Sequence, residues 1–233
     1  MNEPWYRTNP ALLEVDRHRV LQAQPKLQMI DTGDAVLFRG PFLLEEGGKV
    51  HEQFDVEVLV SSRSQVDIPV VREVAGRIPR QLDPHHVVKD DGTLCVVLPE
   101  AYWYNYPEGM RLDAFMDGPL RSHLAGQALV LQGLPWPQKE WPHATDGSLA
   151  FYREILGVSD DRSAVRLMLM LTKGPVKGHR ECPCGSGAIV RNCHREAIWK
   201  ASERIPRELA QRALYLLWKR RQGQMTPQEP IAA

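Results

Sequence analysis

The chain has 233 residues, of which 43% are hydrophobic and 25% charged, as in an ordinary globular protein. Lys+Arg and Asp+Glu both number 29, so overall charge gives no drive toward nucleic acid or a membrane surface. No apolar run approaches the ~20 residues that span a bilayer. The start, Met1-Asn2-Glu3-Pro4-Trp5, has neither the basic nor the apolar region of a signal peptide. A cytoplasmic location with no membrane partner is therefore expected.

Asn9-Pro10 supplies an N-cap and a first-turn proline, and predicts an amphipathic helix over 10–23 with Leu12, Leu13, Val20 and Leu21 in its apolar stripe. Residues 35–44 read as a strand bent at Gly40-Pro41, and Glu45-Glu46-Gly47-Gly48 as a turn. Phe54, Val56, Val58 and Val60 alternate with polar residues, the pattern of a half-buried antiparallel strand. Val70, Val71 and Val74 mark a further strand in the run to Ile78.

After these strands the segment 102–107, Tyr-Trp-Tyr-Asn-Tyr-Pro, reads as a loop packed over the sheet. Helices are predicted over 120–132 (Leu120, Leu124, Ala128 and Leu131 inward), 148–156 (ended by Gly157) and 162–173. Residues 134–147, rich in Pro and Trp, are expected to form an irregular connection. A linker is placed at 174–178, a helix opened by Pro206 follows, and 223–233 is expected to be a disordered tail. Strands clustered before helices predict an α+β fold. Two domains are expected, 1–173 and 174–233.

Four cysteines occur. Cys182, Cys184 and Cys193 lie within twelve residues and Cys95 is remote, which suits one metal site and one separate thiol better than a disulfide framework. Cys95 follows a polar turn, Lys89-Asp90-Asp91-Gly92, inside a short apolar run. A thiolate there can serve as nucleophile and acyl carrier. The alternative is a small buried hydrophobe.

Gly92-x-Leu94-Cys95, with Trp103 eight residues after the cysteine, resembles the active-site segment of ubiquitin-conjugating enzymes. The resemblance spans roughly residues 9–157 in pattern, and is nearest to divergent bacterial members found in antiphage operons of the CBASS type. It implies an antiparallel meander sheet flanked by helices, with Cys95 as the catalytic residue. The family's His-Pro-Asn turn is missing. Asp83-Pro84-His85 is its nearest counterpart, about two residues too far upstream, so His85 and His86 become the candidates to support the oxyanion.

Cys182-Pro183-Cys184-Gly185-Ser186-Gly187, followed by Cys193-His194, has the spacing C-x-C-x8-C-H and can close a tetrahedral site for Zn²⁺. Such a site has no open position and is structural. The stretch resembles the SEC-C zinc motif, with Cys182, Cys184, Cys193 and His194 on its four ligand positions. The motif's Lys-rich middle is replaced by Ala188-Ile189-Val190. The segment 195–221 carries eight Lys/Arg against three Glu, either as a solvated face or as a docking surface.

Together these features predict a ubiquitin-conjugating-like acyltransferase. Cys95 would receive the C-terminus of a ubiquitin-like protein, or of a cGAS-like nucleotidyltransferase, from an activating enzyme or activating domain. It would pass that group to an amine of a target protein, in antiphage defence. Two alternatives differ in class: a non-catalytic binding adaptor of the same fold, and a zinc-dependent nucleic-acid or ribosome binder, which the balanced charge disfavours.

Overall fold

The computed structural model describes residues 4–60, 66–106, 111–137, 141–174 and 176–223. In chain order these form α1 (Trp5–Thr8), α2 (Pro10–Ala23), β1 (Gln28–Asp31), β2 (Val36–Glu46), β3 (Lys49–Val60), β4 (Val70–Glu73), α3 (Pro99–Asn105), α4 (Leu112–Phe115), α5 (Arg121–Val130), α6 (Ala144–Leu156), α7 (Asp161–Leu171), α8 (Arg195–Arg204) and α9 (Arg207–Arg221). The fold is α+β. The strands make one antiparallel sheet in the order β1-β2-β3-β4, a meander. No helix among the described residues is long and apolar enough to cross a membrane.

The described chain divides into two compact units. One holds 4–97 and 111–137, the other 98–106 and 141–223. The boundary expected at 173/174 falls inside the second unit, where α7 packs against α8 and α9.

In the first unit, Asn9 caps α2 by accepting the Leu12 N–H at 3.3 Å. The helix starts and ends where the sequence placed it, but its inward face is Leu13, Asp16 and Val20, while Leu12 is exposed. Burial lifts the Asp16 carboxyl to about 6, with Asp113 adding to the effect. Gln24, just past α2, grips β2 through both ends of its amide. Its Nε2 donates to the Leu43 carbonyl at 3.1 Å and its Oε1 accepts the Leu43 N–H at 2.8 Å. A fully buried amide paired this way satisfies both of its polar ends.

Gly47 and Gly48 form the two-residue turn between β2 and β3, with Glu46 opposite Lys49. Phe38 pairs with Val58 and Phe42 with Phe54, all fully buried, so the alternation read over 54–60 lines one face of the sheet. β4 stops at Glu73, short of the run expected to Ile78. The Glu73 carboxylate accepts the N–H groups of Ala75 and Arg77, which turns the chain and leaves Val74 exposed. α4 continues through a π-helical turn, Met116–Leu120, into α5. The inward face of α5 is His123, Leu124 and Gln127 rather than Ala128 and Leu131, and Leu131 is exposed.

The second unit is helical. The aromatic segment expected as a loop over the sheet is instead α3, started by Pro99 at its first position, with Tyr102 and Trp103 buried in this unit. α6 begins at Ala144, four residues earlier than expected, and Gly157 ends it. Met168 is core, whereas Met170 is half-buried. Beside Tyr102 in the chain, Glu100 is buried, and its Oε2, the Ser148 hydroxyl and the Tyr152 hydroxyl lack hydrogen-bond partners among the described residues. Burial holds the Glu100 carboxyl above its usual range. The tail expected from 223 lies, beyond Gly223, outside the described residues.

Gly40 shows how the bend in β2 depends on sequence. Its φ is +137°, and a Cβ there would lie 2.6 Å from the Lys26 carbonyl oxygen. Backbone cannot yield at that distance as a side chain can. Gly40→Ala is expected to destabilise the protein by roughly 1–3 kcal/mol, read as a lower urea midpoint by circular dichroism. An unchanged midpoint would refute this account of the bend.

Candidate functional site

Cys95 sits on a loop that follows β4 in the first unit. Asp91 starts its turn by accepting the Thr93 N–H at 2.9 Å, while the Asp91 carbonyl accepts from Arg72 Nε at 3.0 Å. Gly92 completes the turn with φ +72°, and its N–H donates to Val88 at 2.9 Å. The Arg80 guanidinium lies 3.1 Å from where a Cβ would stand at Gly92, so a side chain is disfavoured by both conformation and space. The loop is then joined to the rest of the unit through main-chain bonds. Leu94 N–H donates to the Val71 carbonyl of β4 at 2.8 Å, and Cys95 N–H donates to the His86 carbonyl at 2.7 Å.

Leu94 points inward and is buried, and Cys95 is exposed. The period-two alternation of extended chain accounts for this opposition. The thiol is accessible but poorly solvated on its protein side. Desolvation, and then the Asp91 charge, push its pKa up to about 11. At neutral pH it is a thiol, not a thiolate.

His85 and His86 are only 7% and 8% exposed. The His85 ring points to Gln127 of α5, with its Nδ1 at 3.2 Å from Gln127 Oε1. Gln127 Nε2 donates to the His85 carbonyl and lies 3.2 Å from His123 Nε2. An amide NH₂ that donates to both fixes His123 Nε2 as an acceptor and places the Nδ1 proton on His85. His123 is compatible with this role, because burial, and then His86, lower its pKa to about 3 and keep it neutral. The His86 ring, on a residue with φ +50°, packs on Trp136 with centroids 4.4 Å apart. Trp136 also meets His123 edge-on at 5.3 Å.

Of the expected pair, His86 is joined to Cys95 through the main chain, and the rings of His85 and His86 are directed at Gln127 and Trp136. Sequence reasoning missed His123, Gln127 and Trp136. The available signal was the i, i+4 spacing of His123 and Gln127 beside Leu120 and Leu124, which places two polar side chains on an apolar helix face.

The second cluster lies in the second unit. Cys182, Cys184, Cys193 and His194 come together with all four ligand atoms within 4.8 Å of one another, so the group can hold a metal ion. Cys182 Sγ is 3.3 Å and Cys193 Sγ 3.0 Å from His194 Nδ1, and Cys184 Sγ is 3.6 Å from Cys193 Sγ. A tetrahedral metal–thiolate–imidazole site has edges of roughly 3.5–3.8 Å, so these separations need only small adjustment.

A short ribbon builds the knuckle, with Glu181 bridged to Ile189 and Cys182 N–H donating to Ala188 at 2.8 Å. A 3₁₀ turn at Val190–Asn192 delivers Cys193, and His194 caps α8. α7 supports the knuckle, as Ser163 Oγ donates to the Cys184 carbonyl at 3.2 Å. A hydrogen bond from Ser186 is the main cause that lowers the Cys184 thiol to about 6, while burial raises Cys182 to about 11.

In the basic segment after His194, several cations already have partners within this unit. Arg204 donates to the Tyr104 carbonyl at 2.9 Å, Lys200 stands over the Tyr104 ring, and Arg220 pairs with Asp146. Tyr215 and Trp218 stack on an exposed face of α9.

Two outcomes follow from these geometries. With a thiol pKa near 11, iodoacetamide alkylation of Cys95 should rise about tenfold per pH unit from pH 7 to 10, because only about a thousandth of it is thiolate at pH 8. Peptide mass mapping reads this, and a plateau near pH 9 would contradict it. Metal analysis should find about one ion per chain, lost in Cys193→Ser together with the ordered knuckle, read as hydrogen exchange at the Cys182 amide. Equal metal content in wild type and variant would dismiss the site.

Comparison of the chain with protein-family models, with curated proteins and with solved structures finds no match.

Proposed function

We propose that this chain is a ubiquitin-conjugating-like acyl carrier that works through Cys95. One observation carries the reading: the sulfur is exposed on a loop that main-chain bonds to Val71 and His86 hold against the edge of a meander sheet. The order of helix, four-stranded meander and cysteine loop, with Gly92-x-Leu94-Cys95, also supports it.

In the proposed cycle the Cys95 thiolate attacks the thioester carbonyl of a charged activating enzyme, and that enzyme's cysteine leaves as thiolate. A target amine then attacks the Cys95 thioester. The Cys95 thiolate leaves and the amine nitrogen loses a proton as the amide forms. A thiol near 11 must be deprotonated first, so a base is required at the moment of transfer. The acyl donor is a ubiquitin-like protein or the C-terminus of a cGAS-like nucleotidyltransferase, and the setting is antiphage defence. These choices follow from the sequence resemblance.

The metal of the second cluster is read as zinc. Three thiolates and one imidazole make a soft S₃N set that zinc favours in four-coordinate structural sites. As in the SEC-C motif, it would hold the fold of its own unit and take no part in acyl transfer.

A second reading has its own support. The raised thiol pKa and the engagement of His85 with Gln127 suit a non-catalytic adaptor that keeps the fold. Intact mass separates the two. With activating enzyme, ATP and a candidate donor, the carrier should gain one reducer-sensitive adduct that Cys95→Ala cannot form. An adduct that persists in Cys95→Ala, or none with any donor, leaves the adaptor.

A further inference from the structure

Within the second unit, the C-terminal half of α7 and the segment that leads into the metal knuckle enclose a groove of about 500 Å³. Its size lies within the range of ordinary ligand clefts. On α7, Arg166, Leu169 and Met170 lie at i, i+3 and i+4, so one helix face presents a cation and two apolar side chains, and Lys173, two residues past the helix end, adds a second cation to the lining. Opposite them stand Lys177 and Arg180.

One carboxylate, Glu181, lines the same groove. None of the four cations forms an ion pair among the described residues, and Arg166 makes a hydrogen bond to the Pro183 carbonyl at 3.4 Å. Four cations gathered around an apolar floor with one carboxylate leave an excess of positive charge, and an anionic occupant offsets it.

The wall is held in place rather than loose. Arg191 N–H donates to Gly178 at 2.9 Å, Val190 N–H to Arg180 at 2.9 Å and Cys182 N–H to Ala188 at 2.8 Å. The ribbon runs directly into the metal knuckle, and Pro183, between the ligands Cys182 and Cys184, also lines the groove.

The chemistry of the lining selects among anions. Arg166 on α7 and Lys173, two residues past its end, line the groove at separate points, seven positions apart in the chain. Charges so spread match several carboxylates along a chain better than one phosphate. Among the described residues no aromatic ring lines the groove, so a nucleobase finds no stacking platform there. Leu169 and Met170 offer contact to apolar side chains, and Met adapts to varied shapes.

We propose that this groove docks an acidic peptide segment that also carries apolar side chains. The site is independent of Cys95 and of the acyl-carrier reading.

The test uses the full metal-loaded chain and a fluorescein-labelled twelve-residue peptide of Glu, Asp and Leu, followed by anisotropy. Saturable binding that weakens with salt is expected. It should fall about tenfold in Lys177→Glu/Arg180→Glu and in Lys173→Glu, with metal content and circular dichroism unchanged. Lys173→Glu lies outside the knuckle ribbon and keeps the test valid if the double variant loses metal. The proposal is overturned by absent or unsaturable binding, by equal binding in both variants, or by displacement of the peptide by an oligo-dT strand.

Discussion

The hydrogen bond from Cys95 N–H to the His86 carbonyl fixes where the sulfur can be. With Leu94 held to Val71 of β4, it leaves residue 95 one orientation, facing away from the buried Leu94 side chain. His86 is in turn set by its neighbour, since Gln127 holds both the carbonyl and the ring of His85. A single amide on α5 thus holds the peptide unit just before the one on which the cysteine loop hangs. The interior position of Gln127 suits that task. In low dielectric its hydrogen bonds are strong, and losing any of them leaves a costly orphan.

The metal cluster achieves a comparable result by other means. Around Cys182 and Cys184 there is little apolar side-chain mass to define a fold, and the knuckle turns on Gly185 and Gly187. Ligand bonds supply what packing does not. Val190 and Ile198, both fully buried, anchor the cluster on the α8 side, and Ser163 anchors it on α7. That support from α7 explains why the cluster shares a unit with helices that precede it in the chain.

Much of the scaffold was legible in the sequence. Asn9-Pro10 marked the start of α2 to the residue, the alternation from Phe54 to Val60 identified a sheet face, and C-x-C-x8-C-H identified the four clustered ligands. These signals are local, because caps, pleats and ligand spacing act within a few residues. The failures were long-range. Pattern alone could not separate Leu12 from Leu13 on α2, since the choice depends on what the helix packs against. Hydrophobicity also hid the inward side of α5, where His123 and Gln127 are buried because they satisfy each other and His85. The aromatic run at 102–106 looked like a loop, yet Pro99 starts a helix there. The return of 98–106 to a unit formed mainly by residues after 140 had no sequence marker.

The environment of Cys95 has one more consequence, for its survival in an oxidising cell. Peroxide and electrophilic metabolites attack the thiolate form, so a sulfur that stays protonated up to about 11 climbs the sulfenic–sulfinic ladder slowly despite its exposure. Desolvation and the Asp91 charge therefore act as a chemical safety catch, keeping the side chain inert at neutral pH.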